Sequence, residues 1–331
     1  MRPCVKILLL CGVALLAVML FVDHSVEPRY NDIPLSKWIA LHQAHQLRRL
    51  PFLQSSQAPE DPREREAEEA IRHMGPQALP LLVKWIDARP SPWKHTLAKQ
   101  IVGRRGAPRG SFADRLLVLL DPWKDQKRRV TAYNAFVILG SAAIPAIPDL
   151  VNIASNSRSP GSDQAANVLV GLGTPGVSAL LYVLRSNESV RQRIRVMNGL
   201  GWIGPGAASA VTAIIPYLKD PDMELAAASA TALGRIREHP DLAVPALIAA
   251  LDDPRYLVRQ SAAKALGEFG AVARQVVPKL ISLLATPDYV FGQAVERTLQ
   301  QVGPEDMTNA TGRDASLFNP SPASSVFFFT R

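Results

Sequence analysis

Asp253-Pro-Arg-Tyr-Leu-Val-Arg-Gln-Ser-Ala-Ala-Lys-Ala-Leu-Gly267 decides how this chain is read. Leu257, Ala262, Ala265, Leu266 and Phe269 recur at helical spacing, so the stretch predicts an amphipathic helix. Asp253 is placed to accept a hydrogen bond from a free amide of the first turn, and Pro254 suits the entry to a helix. Glycine is expected to end it. Alanines on the contact face let neighbouring helix axes approach closely. Just upstream, Pro245-Ala-Leu-Ile-Ala-Ala-Leu251 reads as a shorter, wholly apolar helix, so the unit is a helical hairpin.

The hairpin repeats. Pro221, Pro254 and Pro287 are 33 residues apart, and so are Leu200, Leu233, Leu266 and Leu299, and Gly201, Gly234 and Gly267. Leu139-Gly140 and Leu172-Gly173 keep the same spacing, as do Asn134 and Asn167, and Pro245 and Pro278. A fixed period of this length marks a stack of supersecondary units, each unable to bury both its apolar faces alone. About eight pairs are expected. Their second helices should end near Met74-Gly75, Val102-Gly103, Gly140, Gly173, Gly204, Ile236, Gly270 and Gly303. Composition agrees: 47% apolar, 6% aromatic and 27 prolines in 331 residues suit many short, closely packed helices.

The pattern Asp-Pro-x-x-x-Val-Arg-x-x-Ala-Ala-x-Ala-Leu-Gly over Asp253–Gly267 resembles the signature of HEAT repeats, in the subtype named after the phycobilisome lyases. The resemblance is strong over residues 188–303 and looser over 64–187. It implies an all-α fold, a right-handed α–α superhelix of HEAT or armadillo type. The family's Asp and Arg that link adjacent turns fall on Asp253 and Arg259. Arg193 matches two repeats earlier, while Ala226 and Gly292 stand at the arginine position in the other two units. Leu35-Ser-Lys-Trp-Ile-Ala-Leu41 reads as a short amphipathic helix with Ser36 as its cap. Its context resembles membrane-anchored repeat proteins of environmental bacteria.

Ahead of the repeats, Arg2 and Lys6 precede an uncharged apolar run, residues 7–22, ended by Asp23. As a helix it would span about 24 Å, against a hydrocarbon core of roughly 30 Å. No small-x-small cleavage site follows it. An uncleaved anchor is expected, with residues 1–23 in the inner membrane and the body outside the cytoplasm. Secretion after cleavage is the alternative. Residues 24–63 read as a short helix and linker, 64–305 as the solenoid, and 306–331 as a polar tail expected to be disordered.

The chain carries a formal charge of +8, unevenly spread. Between 94 and 129, Lys94, Lys99, Arg104, Arg105, Arg109, Arg115, Lys124, Lys127, Arg128 and Arg129 face only Asp114, Asp121 and Asp125. Lys127, Arg128 and Arg129 open a second helix, which the resemblance places on the concave face. Trp93 and Trp123 flank the stretch and can stack on a ligand. With Arg191, from a second basic group, these are the candidate partner-binding residues.

Catalytic chemistry finds no foothold. Both cysteines, Cys4 and Cys11, precede the body, which excludes a thiol nucleophile or a cysteine-based zinc site there. Gly171-Leu-Gly173-Thr-Pro-Gly176 and Gly199-Leu-Gly201-Trp-Ile-Gly204 match a dinucleotide fingerprint. Their glycines fall in the repeat register, at helix ends instead of after a strand. His42 and His45 are three apart and could share a helix face, with no acid or third ligand evident, and Glu64, Glu66, Glu68 and Glu69 read as a charge run on the exposed side of a helix. Asn187-Glu-Ser189 and Asn309-Ala-Thr311 match the glycosylation acceptor pattern. No catalytic residue, cofactor or metal ligand is assigned. The expected function is a non-catalytic scaffold that binds a protein partner, an anionic one if the basic stretch is used. The alternatives are a bilin lyase-like chromophore-handling protein, which the repeat subtype suggests, and nucleic-acid binding through 94–129, which a body outside the cytoplasm disfavours.

Overall fold

A unit with two apolar faces buries them only by stacking, and the architecture follows from that requirement. The computed structural model describes residues 27–48, 62–89, 92–102, 121, 123–284 and 289–306. These are helical through most of their length. The expected anchor at 7–22 and the tail beyond 306 lie outside the described residues. The chain divides into two units, residues 1–168 and 169–331.

The first unit opens with a departure from the all-α expectation. β1 (Arg29–Tyr30) pairs antiparallel with β2 (Ile33–Pro34). Asn31 and Asp32 take φ of 49° and 60° between them, the conformation a two-residue hairpin turn needs. α1 (Leu35–Arg48) follows. Ser36 does not cap it as expected: its own N–H and hydroxyl donate to Glu27 Oε2 at 3.2 and 2.7 Å. The Glu27 carboxylate therefore satisfies the free donors at that end, where the helix dipole favours negative charge.

α2 (Pro62–Ile86) packs against α1 and corrects a second expectation. Gly75-Pro76 reads as a stop, yet the helix runs through it and through Pro80. Gly75 is buried because a Cβ there would lie 3.1 Å from Leu139 Cδ2 of α4 (Lys124–Leu139), the helix packed against it. The glycine serves a helix crossing, not a helix end. α3 (Pro92–Val102) lies between α2 and α4 in sequence. α4, a 3-10 segment (Gly140–Ala146) and α5 (Ile147–Ser155) form a run apolar and long enough to cross a membrane by composition alone. Gly140, at φ 51° and ψ −123°, ends α4 within that run, as the sequence predicts. α6 (Ser162–Gly171) leads from the first unit into the second.

In the second unit the repeat is plain. α7 (Val177–Ser186) pairs with α8 (Val190–Ile203). α9 (Val211–Ile214), extended by the 3-10 turn Ile215–Lys219, pairs with α10 (Met223–Ile236). α11 (Pro240–Ala250) pairs with α12 (Tyr256–Phe269), and α13 (Val277–Leu284) with α14 (Tyr289–Val302). The second helices pack in series, α8 on α10, α10 on α12 and α12 on α14. Leu200, Leu233, Leu266 and Leu299, the periodic leucines, are all fully buried.

Two kinds of glycine share the repeat. Gly173, Gly204 and Gly270 carry φ of 68°, 66° and 57° and end or follow their helices, a conformation only glycine adopts cheaply. Gly201, Gly234 and Gly267 instead lie inside α8, α10 and α12 and are buried. Gly267 therefore lies within its helix, which closes at Gly270 as expected. A Cβ on Gly201 would lie 3.1 Å from Ala232 Cα, and one on Gly234 would lie 2.6 Å from Ala265 Cα. Each 33-spaced glycine is where one second helix touches the next, 31 residues on.

Between the helices of a hairpin a second device recurs. Asn187, Asp220 and Asp253 each accept, through Oδ1, the backbone N–H two residues on, from Ser189, Asp222 and Arg255 at 2.9, 2.9 and 2.8 Å. Asn156 does the same with Arg158 at 3.0 Å. These side chains mimic a backbone turn. Asn187 is buried at 4% exposure, so its amide is not presented at the folded surface. Asn309 lies outside the described residues.

Asp253 also holds Arg255 in a two-pronged ion pair, Nε to Oδ1 at 2.9 Å and Nη2 to Oδ2 at 2.8 Å. The side-chain hydrogen bonds from Arg255 hold its carboxyl below the usual carboxylate range, against the opposing pull of burial. Arg255 Nη1 reaches back to the Asp220 carbonyl at 2.5 Å, in the preceding repeat. Asp220 Oδ2 in turn faces Arg193 Nη1 at 3.7 Å. The link between turns is thus made by Arg255, while Arg259 donates within its own repeat to the carbonyls of Asp253 and Pro254.

Candidate functional site

The basic residues singled out in the first unit are engaged by the fold. Lys127 Nζ lies 3.0 Å from Asp121 Oδ1. Arg128 Nη1 lies 3.9 Å from Asp125 Oδ1. Arg129 Nη1 donates to the Ala88 carbonyl at 2.6 Å, closing the C-terminal end of α2, where carbonyls lack helical donors. Trp123, 50% exposed, precedes α4, and Trp93, 41% exposed, lies in the first turn of α3 with Lys94 Nζ 5.8 Å from its ring centre. Arg104, Arg105, Arg109 and Arg115 are outside the described residues. A cleft of about 300 Å³ opens between the end of α2 and the start of α4. It is lined by Lys84, Trp85, Asp87, Ala88, Arg89, Asp125 and Arg128. Its charges are mixed, and the Asp87 carboxylate already accepts from Ser159 Oγ at 2.5 Å.

A more continuous surface lies on the second unit. Positions 191, 195, 198 and 202 recur every three or four residues and so share one face of α8. The same face continues at 224, 228, 231 and 235 on α10, at 257, 261, 264 and 268 on α12, and at 294, 297 and 301 on α14. Trp202 is 66% exposed, and the Arg235 guanidinium lies 5.0 Å from its ring centre, one repeat along. That stacking shows the faces to be adjacent. Ala228 and Ala294 are small and buried, so the face is low at its middle. Arg191, Arg235, Lys264 and Arg297 are exposed on it, with Glu224 and Glu268 as its acids. Of the candidate partner-binding residues, Arg191 alone belongs to this face, together with Arg195 from the same basic group. Trp202, Arg235, Lys264 and Arg297 escape a reading of the period that stops at the buried leucines and glycines. The same period, applied to exposed positions, finds them.

The two dinucleotide-like glycine triplets hold no phosphate cradle. Residues 168–170 are helical, and Gly199 and Gly201 lie within α8, facing Val170 and Ala232. One further group is brought together by the fold. His42 on α1 and Glu64 and Glu68 on α2 offer ligand atoms that all lie within 4.8 Å of one another. The acids that His42 lacks nearby in sequence come from the next helix. The side chain of His45 is outside the described residues.

The architecture of the second unit is that of helical-hairpin repeats stacked in register. The family model described as HEAT repeats matches residues 177–267 and again 244–310, so this part of the chain is similar to HEAT repeats. No curated protein matches. Among solved structures, an engineered protein from a structural genomics consortium is similar at 16% identity and a TM-score of 0.27, over 85% of this chain and 98% of that one.

Proposed function

We propose that this chain is a non-catalytic interaction scaffold whose docking surface is the exposed face shared by α8, α10, α12 and α14. HEAT repeats commonly serve as protein-interaction scaffolds. The observation that carries the choice of face is Trp202 with Arg235 stacked on it, in line with Arg191, Lys264 and Arg297. An exposed tryptophan beside arginine is the composition of an interface anchor. The excess of positive charge favours an acidic partner and makes attachment sensitive to salt. The repeats stand outside the cytoplasmic membrane, tethered through residues 7–22; the support is the order of Arg2 and Lys6, the apolar run and Asp23.

One experiment tests both parts. A cross-linker that cannot pass a membrane is added to intact cells, and the protein is captured with whatever is joined to it. The wild-type chain is expected to retain a partner that the variant Arg191→Glu, Arg235→Glu, Lys264→Glu loses. Equal capture by the variant would exclude this face. Capture only after permeabilisation would put the repeats on the other side of the membrane.

A further inference from the structure

The seam between α1 and α2 ends in charge. Along α1 the buried positions run Leu35, Trp38, Ile39 and then His42, and along α2 they run Glu64, Ala67, Ala70, Ile71 and Met74. At a helical period, His42 and Glu64 therefore take the next core place on each apolar stripe, where two aliphatic side chains would pack. His42 is 4% exposed and Glu64 6%. Glu68, one turn further along α2, adds a second carboxylate on the same side, with its Oε1 3.8 Å from His42 Nδ1.

Two carboxylates at this spacing on one helix face repel each other, and burial raises the cost of a charge on Glu64. Arg72 pairs with Glu68 from the outer side, its Nη2 3.0 Å from Oε2. The inner oxygens and the imidazole converge from two different helices. One imidazole with two carboxylates is a donor set for zinc or a similar transition ion; calcium would ask for six or more oxygens. An ion bound at about 2.1 Å would draw neighbouring ligand atoms to roughly 3.4 Å. Glu68, with its side chain one-third exposed, has room to make that adjustment.

We propose that His42, Glu64 and Glu68 form a divalent transition-metal site that fastens α1 to α2. Three protein ligands leave one position to water, and Arg72 orients Glu68 from outside, as outer partners of metal-bound carboxylates do. The site is separate from the docking face and does not depend on it.

Zinc is the probe. The purified full-length protein, freed of any histidine tag, is dialysed against Zn2+ in competition with a chromophoric chelator, and its melting temperature is followed with and without the ion. One equivalent per chain and a raised melting temperature are expected. Glu64→Gln and His42→Asn should each weaken uptake by at least about tenfold and remove the thermal shift, with helicity retained. Glu66→Gln, on the exposed side of α2, should bind as wild type. Lack of stoichiometric uptake by the wild-type chain would overturn the proposal without reference to any variant. So would uptake unchanged in Glu64→Gln and His42→Asn.

Discussion

At the residue scale, glycine does two jobs here that look alike in sequence. Gly204 and Gly270 are needed for their backbone conformation, Gly201 and Gly234 for the space they leave. The 33-residue spacing was legible. Which job each glycine does was not, because a helix end and a helix contact both favour a residue without a side chain, and only the neighbour across the contact separates them. Gly171 serves as the control, with helical conformation and nothing within 4 Å of a Cβ added there. Gly234→Ala is expected to destabilise the protein by about 1–3 kcal/mol, because Ala265 belongs to a packed helix that cannot yield. Gly171→Ala should be neutral or stabilising by up to about 1 kcal/mol, since alanine is the better helix former. Denaturant unfolding of the two variants checks the pair, and equal losses would show that the contact has been misplaced.

At the scale of the element, one turn decides how a hairpin meets its neighbour. Asp253 was visible as a capping and linking residue. Its ion-pair partner was not, because the family pattern points to Arg259, while the residue two places on has the shorter reach. Arg255 grips Asp253 and the carbonyl of Asp220 together, so turn, ion pair and inter-repeat bond form one unit. Asp253 titrates lower in the fold than in the unfolded chain. Its contribution is therefore complete above the unfolded value, near pH 4, and is lost as pH falls through the lower folded value. Arg255→Gln removes the cause of the depression. The variant should be less stable at neutral pH by about 1–2 kcal/mol. It should also lose less stability than wild type on acidification below about pH 4. Chemical denaturation at a series of pH values reads both effects. Parallel acid profiles would mean that the pair does not couple to folding.

At the scale of the molecule, the pairing of short and long helices in the second unit was legible in the sequence, while the 3-10 segments that join them were not. The first unit was less legible. Its repeats are irregular, α2 runs through a glycine–proline pair that reads as a stop, and a tight hairpin precedes α1. The group around His42 was out of reach for a different reason. Its members, His42 on one helix and Glu64 and Glu68 on the next, are more than twenty residues apart in sequence, and nothing in a period links them. The proposed docking face was legible in part: Arg191 stood out as basic, while Trp202, Arg235, Lys264 and Arg297 share its register only when the period is followed through exposed positions.

The register of the second helices carries the repeat array and the proposed docking face, and a disulfide measures it. A Cβ on Gly201 would lie 3.5 Å from Ala232 Cβ, within the range a disulfide spans. In a chain with Cys4 and Cys11 replaced by serine, the pair Gly201→Cys and Ala232→Cys is oxidised under mild conditions, with Gly201→Cys and Ala230→Cys as the control. Stacked hairpins in this register predict rapid intramolecular closure of the 201–232 pair alone, read by mass and thiol titration. Closure no faster than the control would contradict it.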